Sequence, residues 1–329
     1  MARRFIVYGA GAIGGVVGCR LAEAGHEVVL IARGAHREAI ERDGLRLETP
    51  SGVSVHPLAV VGDPEALDWR AHDDVVLLTV KSQDTGGALD RLAATAGPGV
   101  AVACLQNGIA NERAALRRFA RTYAVCVQLP STHLEPGIVV AHSDPLTGSL
   151  DIGRYPHGVD ELAVGVARAF AASRFSSTAE EEIMRWKHAK LLRNLANAVR
   201  ALVGPAPAGA QLEDLALAEG HAAYRAAGID YVDDEEYDAE HARAVTVMAV
   251  PGRERTLGSS WQSLARGGGA IETDYLNGEI VLLGRLHGVA TPVNELLQRD
   301  AGAAARGGRP PGSSDEAALL AELGIGAAP

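Results

Sequence analysis

The sequence predicts an α/β fold: an N-terminal doubly wound sheet followed by an all-helical C-terminal domain. Three observations carry this. Apolar β-runs alternate with helical patterns over roughly the first 175 residues, the signature of a sheet with helices on its faces. A strand, a Gly-rich turn and a helix open the chain at Phe5-Ile-Val-Tyr-Gly9-Ala10-Gly11-Ala12-Ile13-Gly14. After about Ser177 strands vanish and the texture stays helical. The expected division is residues 1–177, residues 178–305, and a linker with a tail over residues 306–329.

The opening stretch has the order that a dinucleotide site needs. The first glycine lets the chain turn off the strand. The second lets backbone approach a pyrophosphate, and the third lets the helix pack close to the strand. The phosphates then meet the free N–H groups and positive end of that helix. Gly9, Ala10, Gly11, Ala12, Ile13 and Gly14 are therefore candidate cofactor-binding residues. Taken alone, the same pattern also fits a structural turn. The strand, the helix and the second strand His26 to Ala32 supply the context that favours a cofactor.

Composition bounds the function. With 329 residues the chain can build two cores. It is 47% hydrophobic and 22% charged, as soluble globular proteins are. Its 31 Lys and Arg against 41 Asp and Glu give a net charge of −10, which argues against nucleic acid or an anionic membrane as the main partner. Cys19, Cys104 and Cys126 fit no metal spacing and form no complete disulfide set, so they read as small core residues and no metal is expected. No leader-like segment precedes the first strand and no apolar run has transmembrane length, so a cytoplasmic location is expected. The partner classes left open are a small-molecule substrate and a second copy of the chain as a homodimer.

The elements follow in order. The first helix is expected from Ala12 to Ala24, with Gly25 beyond it. At the end of strand two, where NAD-selective sites carry an acid, the chain reads Ile31-Ala-Arg33-Gly-Ala-His36-Arg37, with no acid until Glu38. Arg33 suits a 2′-phosphate, so the sequence favours NADP; its bland alternative is a solvated surface charge. Leu45–Thr49 and Val53–Pro57 read as a hairpin. Val75–Val80 and Val100–Leu105 read as buried parallel strands, with the polar ends Lys81-Ser-Gln83 and Gln106-Asn107-Gly108. Ligands bind at such strand ends, which makes Lys81 and Asn107 candidates, although a lysine there also fits a plain surface residue. Tyr123–Leu129 is a further strand, Ser149–Gly153 an edge strand, and Val159–Ala172 a helix, together making one sheet. Beyond Ser177, helices are expected over Glu181–Leu202, Gln211–Ala227, Asp238–Val250, Ile271–Gly288 and Pro292 to about Ala305. Arg306 to Ser314 is a Gly/Pro linker, and Asp315–Leu323 a short capped helix on a loosely held tail.

Two segments of the helical part carry chemistry. In Trp186-Lys187-His188-Ala189-Lys190-Leu-Leu-Arg-Asn194-Leu-Ala-Asn197, residues Lys190, Asn194 and Asn197 fall within about 60° of one another on a helix. An ammonium and two amides facing one way in an apolar helix fit a ligand, or an ordinary polar surface stripe. The second segment pairs Gly258-Ser259-Ser260 with Glu272-Thr-Asp274-Tyr-Leu-Asn277-Gly-Glu279. Its serines also fit helix N-caps and its acids a helix first turn.

Taken together, these motifs resemble the ketopantoate reductase family from Arg4 to about Asn294. The resemblance rests on G-A-G-A-I-G at Gly9–Gly14, Arg33, T-V-K-S-Q at Thr79–Gln83, Q-N-G at Gln106–Gly108, K-x-x-x-N at Lys190–Asn194, the serine pair, and I-E-T-D-Y-L-N-G-E at Ile271–Glu279 followed by T-P-V-N. It implies a Rossmann-type domain joined to a helical domain like that of 6-phosphogluconate dehydrogenase. It also implies NADPH-dependent reduction of 2-ketopantoate to pantoate, on the way to pantothenate and coenzyme A. In that likeness Lys190 matches the proton donor and Asn107 an asparagine touching cofactor and substrate. Lys81 matches a cofactor-side lysine, Asn194 and Ser260 substrate-binding positions, and Glu272 the cleft glutamate, which would order the nicotinamide end or a substrate hydroxyl and so counts as both a catalytic and a cofactor-binding candidate. The family pattern is broken at Ala198, with Asn197 one residue early, near Ala208, and at Leu257, which puts the identity of the oxo acid in question.

The chemistry expected is hydride delivery to a carbonyl carbon with Lys190 supplying the proton, Asn194 and Asn197 orienting, and Ser260 holding a carboxylate. Lys187 is the alternative donor, one turn earlier. Rival readings are a paralogue acting on another 2-oxo acid and a non-catalytic NADP(H)-binding sensor.

Overall fold

The computed structural model describes residues 3–70 and 72–326. Its strands are β1 (Arg4–Tyr8), β2 (Glu27–Ile31), β3 (Leu45–Thr49), β4 (Gly52–His56), β5 (Ala59–Val61), β6 (Asp74–Leu78), β7 (Ala101–Cys104), β8 (Thr122–Gln128), β9 (Ser131–Thr132), β10 (Ile138–Ala141), β11 (Gly148–Arg154) and β12 (Phe175–Ser176). Its helices are α1 (Ala12–Glu23), α2 (Gly34–Asp43), α3 (Thr85–Thr95), α4 (Ala110–Leu116), α5 (Glu161–Ala172), α6 (Ile183–Asn194), α7 (Ala196–Leu202), α8 (Ala210–Ala227), α9 (Asp234–Ala244), α10 (Ser259–Ala265), α11 (Asn277–His287), α12 (Pro292–Arg306) and α13 (Glu316–Glu322). Among the described residues no helix is long and apolar enough to cross a membrane.

The chain falls into two compact units. The first holds Met1–Lys187 with Val232–Arg255, the second His188–Tyr231 with Thr256–Pro329. The cut expected at residue 177 falls instead inside α6, and the segment around α9 belongs to the first unit. That segment is tied there by a bridge between Ser143 and Val247 and by Arg253, which donates from Nε to Glu48 at 2.5 Å and also pairs with Glu135. The Arg253 guanidinium, helped by Arg46, holds the Glu48 carboxyl down at about 2.

In the first unit one sheet runs β12-β11-β8-β7-β6-β1-β2-β5, parallel throughout except where β11 meets β8. Alternating side chains divide its faces. Phe5 and Val7 of β1 pack with Val16 and Val17 of α1 and Phe170 of α5. Ile6 and Tyr8 pack on the other side with Leu89 and Leu92 of α3 and with Phe119. At the bottom of β1, Arg4 is paired in register with Asp74 and grips it through Nε and a terminal nitrogen at 2.7 and 2.8 Å. Desolvating both charges is offset by this two-pronged geometry.

Two expectations about the sheet are corrected. Ser149–Gly153 is not an edge: β11 lies between β8 and the two-residue β12, whose Phe175 closes the core. Nor is there one sheet. The hairpin β3–β4 joins β10 and β9 in a second sheet, order β4-β3-β10-β9, and Leu45, Leu47 and Val139 pack into the α1 side of the main core.

The second unit is helical among its described residues. The long helix expected over Glu181–Leu202 is two pieces, α6 and α7. At the joint Leu195 N–H bonds Leu192 at 3.3 Å, a three-residue spacing, and the Leu195 carbonyl accepts from Asn277 Nδ2 at 3.3 Å. Asn277 Nδ2 also bonds Asn294 Oδ1 at 3.0 Å, and Asn294 donates to Ala216 O at 3.0 Å and Glu219 at 2.7 Å. Glu219 accepts from the Val293 and Asn294 amides at 2.8 and 2.9 Å, so it caps α12. The helix expected over Ile271–Gly288 begins as a separate 3₁₀ turn, Glu272–Tyr275. Leu276, at φ −118° and ψ −87°, breaks it from α11.

The tail is not loosely held. Gly312 and Ser314 amides bond the Ala201 and Leu202 carbonyls at 2.9 and 2.8 Å, and Leu319 and Leu320 of α13 are buried. Glu316 accepts from the Gly209 and Leu212 amides at 2.9 and 3.0 Å, and so caps α8, whose own N-cap Gly209 has no side chain for the task. Glu316→Ala is expected to cost about 1 kcal/mol of stability. Urea unfolding of the full chain measures it; a midpoint equal to wild type counts against the capping role.

Candidate functional site

The first unit gathers four strand ends. In the order β7-β6-β1-β2, the residues beyond the carboxyl ends are Gln106-Asn107, Thr79–Lys81, Gly9–Gly14 and Arg33. This edge of a parallel sheet is where ligands bind in open α/β folds. Gly9 has φ +111°, and a Cβ there would lie 2.8 Å from Val80 N. A Cβ on Gly14 would strike the Gly9 carbonyl and come 2.5 Å from Thr79 Oγ1. At Gly11 a Cβ would meet nothing within 4 Å, so space lies open over the turn. The loop is fastened from below: Thr79 Oγ1 bonds the Tyr8 and Gly9 carbonyls at 3.0 and 2.7 Å. From the side, His36 Nδ1 accepts the Gly137 amide at 2.9 Å, which leaves Nε2–H to donate to Ala10 O at 2.7 Å. Burial lowers the His36 pKa and keeps this neutral tautomer. With Gly11 as N-cap and no acid in the first turn of α1, the cradle fits the anionic pyrophosphate of a nicotinamide dinucleotide.

Arg33 lies two residues past β2 as the N-cap of α2, with its side chain 56% exposed. The stretch that follows β2 carries no acid until Glu38. The structure supplies one from the neighbouring strand. β5 is parallel to β2, with Ile31 beside Val61, so two residues on Asp63 comes beside Arg33, 3.4 Å away. Strand adjacency is not written in the local sequence, and no motif announced Asp63.

Asn107, half-buried, sits in a turn closed by Gly108 at φ +77°. A chain of side chains fixes that turn. Gln106 Nε2 donates to Thr85 Oγ1 at 2.8 Å, and Thr85 Oγ1 to Asn111 Oδ1 at 2.8 Å. Asn111 Nδ2 then donates to Ser82 Oγ at 3.1 Å and to the Asn107 carbonyl at 3.3 Å. Thus the Lys81–Asp84 turn and the Asn107 turn share one network.

Lys187 completes that network and thereby leaves the list of proton donors. It is 2% exposed, donates to the Gln106 carbonyl at 3.1 Å, and pairs with the fully buried Glu112. An ammonium so bound is a structural group, not a donor to a substrate. Lys190, one turn on, belongs to the second unit and is half-buried.

In the second unit the structure brings Asn197 against α10: a Cβ on Gly258 would sit 3.0 Å from Asn197 Oδ1. Close by in sequence, the Ser259 and Ser260 hydroxyls are buried and make no hydrogen bond, and Asn194 Oδ1 is in the same condition. Buried polar atoms left unpaired are costly, so these three, on α6 and at the start of α10, are candidates to meet a polar ligand. Glu272 is 4% exposed on its 3₁₀ turn, which packs on α11 and α12. Among the described residues no group of His, Cys, Asp and Glu could hold a metal ion. All three cysteines are buried, and burial pushes the Cys19 and Cys104 thiols far above their usual range.

The chain matches the family model of ketopantoate reductase PanE/ApbA over residues 5–157 and that of its C-terminal domain over residues 182–303. Among proteins named 2-dehydropantoate 2-reductase, that of Halobacterium salinarum is 32% identical over 308 residues, covering 89% of this chain and 96% of the relative. The Pyrococcus horikoshii protein is 29% identical, with 89% and 95% covered. A PanE/ApbA family ketopantoate reductase from Ralstonia eutropha superposes with a TM-score of 0.76 at 30% identity, over 93% of this chain and 99% of that one. D-mandelate dehydrogenase, in a structure with NADH and anilino(oxo)acetate, shares the fold at a TM-score of 0.78 and 22% identity, over 93% and 99%. The two family models together span most of the sequence in the same order as its two units of motifs, and the chain belongs to the ketopantoate reductase family.

Proposed function

We propose that the chain reduces 2-dehydropantoate to pantoate with NADPH. The single observation that carries this is the set of unpaired buried oxygens of Asn194, Ser259 and Ser260 around the helices that bear Lys190. They lie in the same chain as a glycine cradle shaped for a dinucleotide. A bound nicotinamide supplies the hydride. Gly9 to Gly14 hold the pyrophosphate, and Arg33 pairs with the 2′-phosphate. Lys81, Asn107 and Glu272 act toward the cofactor, Asn107 and Glu272 also toward the reaction centre. Lys190 polarises the substrate carbonyl oxygen and gives it a proton as the carbon is reduced. Asn194 and Asn197 offer amides to the substrate hydroxyl and carbonyl, and Ser260 donates to its carboxylate. Removing water from these groups strengthens each contact.

A second reading, another 2-oxo acid, is favoured by Ala198: it is fully buried in the core and offers no amide where the family pattern has one. Following NADPH and NADH oxidation with ketopantoate beside a panel of 2-oxo acids decides between the two, and no turnover of any of them leaves a binding role. A higher kcat/KM for ketopantoate than for the panel is expected.

The two lysines separate by readout. Lys190→Ala is expected to lower kcat about a hundred- to ten-thousand-fold, with melting temperature and NADPH affinity nearly unchanged. Lys187→Met is expected to destabilise the fold by about 3–5 kcal/mol, because it strands the buried Glu112. Normal turnover by the Lys190 variant would overturn its role, and a Lys187 variant of wild-type stability would undo the distinction. Arg33→Ala is expected to weaken NADPH binding at least about tenfold and leave NADH alone; equal loss for both cofactors contradicts the NADPH assignment.

A further inference from the structure

The carboxylate beside Arg33 has a second neighbour. Asp63 Oδ1 lies 3.4 Å from a terminal nitrogen of Arg33 and 3.8 Å from Nε of Arg91 on α3. One oxygen thus stands between two guanidinium groups that come from different elements of the same unit. Asp63 is the N-cap of the 3₁₀ turn Pro64–Ala66, yet its side chain makes no capping bond there. Its carboxylate is turned instead to the arginines. All three side chains are substantially exposed, at 56% for Arg33, 52% for Asp63 and 43% for Arg91. An exposed pair at these distances is weak and opens readily.

We propose that Asp63 is a specificity-determining residue: its carboxylate occupies an anion position between Arg33 and Arg91, and the 2′-phosphate of NADPH competes with it for that position. The inference rests on Arg33 as the 2′-phosphate partner. A phosphate monoester near neutral pH carries close to two negative charges and takes guanidinium hydrogen bonds readily. To reach Arg33 it must displace the Asp63 carboxylate or lie against it, and either costs binding free energy. NADH, with a ribose hydroxyl at the same place, carries no such charge and leaves the Asp63 pairing intact. Asp63 therefore narrows the gap between the two cofactors, and Arg91 becomes a second cation for the phosphate once Asp63 yields.

The test is direct binding of NADPH and of NADH, followed by cofactor fluorescence, to the full-length wild type, Asp63→Asn, Arg91→Ala and Arg33→Ala. Asp63→Asn is expected to tighten NADPH about three- to tenfold, with NADH within twofold of wild type, and the gain should shrink as salt rises. Arg91→Ala is expected to weaken NADPH and spare NADH. NADPH binding unchanged or weaker in Asp63→Asn, or tightening of both cofactors alike, overturns the proposal. So does unchanged NADPH binding in Arg91→Ala. Arg33→Ala separates the two levels of argument. If it weakens NADPH while Asp63→Asn has no effect, only the competition fails. If Arg33→Ala leaves NADPH untouched, the assignment of the cofactor itself fails.

Discussion

The first unit depends on a missing atom. At Gly14 a Cβ would collide with the Gly9 carbonyl and crowd Thr79 Oγ1, so α1 can lie against the ends of β1 and β6 only because position 14 has none. That approach aims the free amides of α1 across the open space over Gly11. It also lets Thr79 bond both the Tyr8 and Gly9 carbonyls, which locks the turn to its neighbouring strand. Helix, turn and two strands then behave as one piece. A helix pushed outward by a single methyl would loosen the cradle and the bonds beneath it together.

A different constraint governs the other turn of the sheet edge. Lys187 is buried, a costly place for an ammonium unless it is paired. Glu112 and the Gln106 carbonyl pair it, and through Gln106 the same bonds reach Thr85, Asn111 and the Asn107 carbonyl. The buried ion pair thus sets where Asn107 stands. It also engages Lys187 in the first unit's own network, one turn before Lys190 on the same helix.

How much of this was legible in the sequence follows from range. Strand β1, its glycine turn and α1 are neighbours in sequence, and periodicity with glycine spacing specified them nearly to the residue. The alternation of Phe5 and Val7 with Ile6 and Tyr8 that divides the two faces of the sheet emerges only with the structure. Long-range partners were not legible. That β5 lies beside β2, and so brings Asp63 to Arg33, depends on which strand takes the edge. That α6 ends at Asn194 depends on Asn277, more than eighty residues away, which takes the freed Leu195 carbonyl. The tail looked like a linker because its composition is that of one. Its anchors are the carbonyls of Ala201 and Leu202 and the bare N-terminus of α8, none of them visible locally. Lys187 and Lys190 could not be separated by spacing, because helical periodicity says which way a side chain points and not what it meets.

The interruption after α6 bears on the asparagines. On an unbroken helix, moving an asparagine from position 198 to 197 would swing its amide by about 100°. Here Ala198 faces the packed interior, fully buried, and an amide at that position would need partners that the core does not provide. Asn197 instead meets Gly258, whose φ of +112° and absent side chain make room for the amide against the start of α10. The residue after that glycine begins the serine pair with its unpaired hydroxyls. Asparagine 197, glycine 258 and the serines are therefore one arrangement. The one-residue shift therefore sets the amide against the start of α10, next to the two unpaired hydroxyls, rather than in a core that has no partner for it.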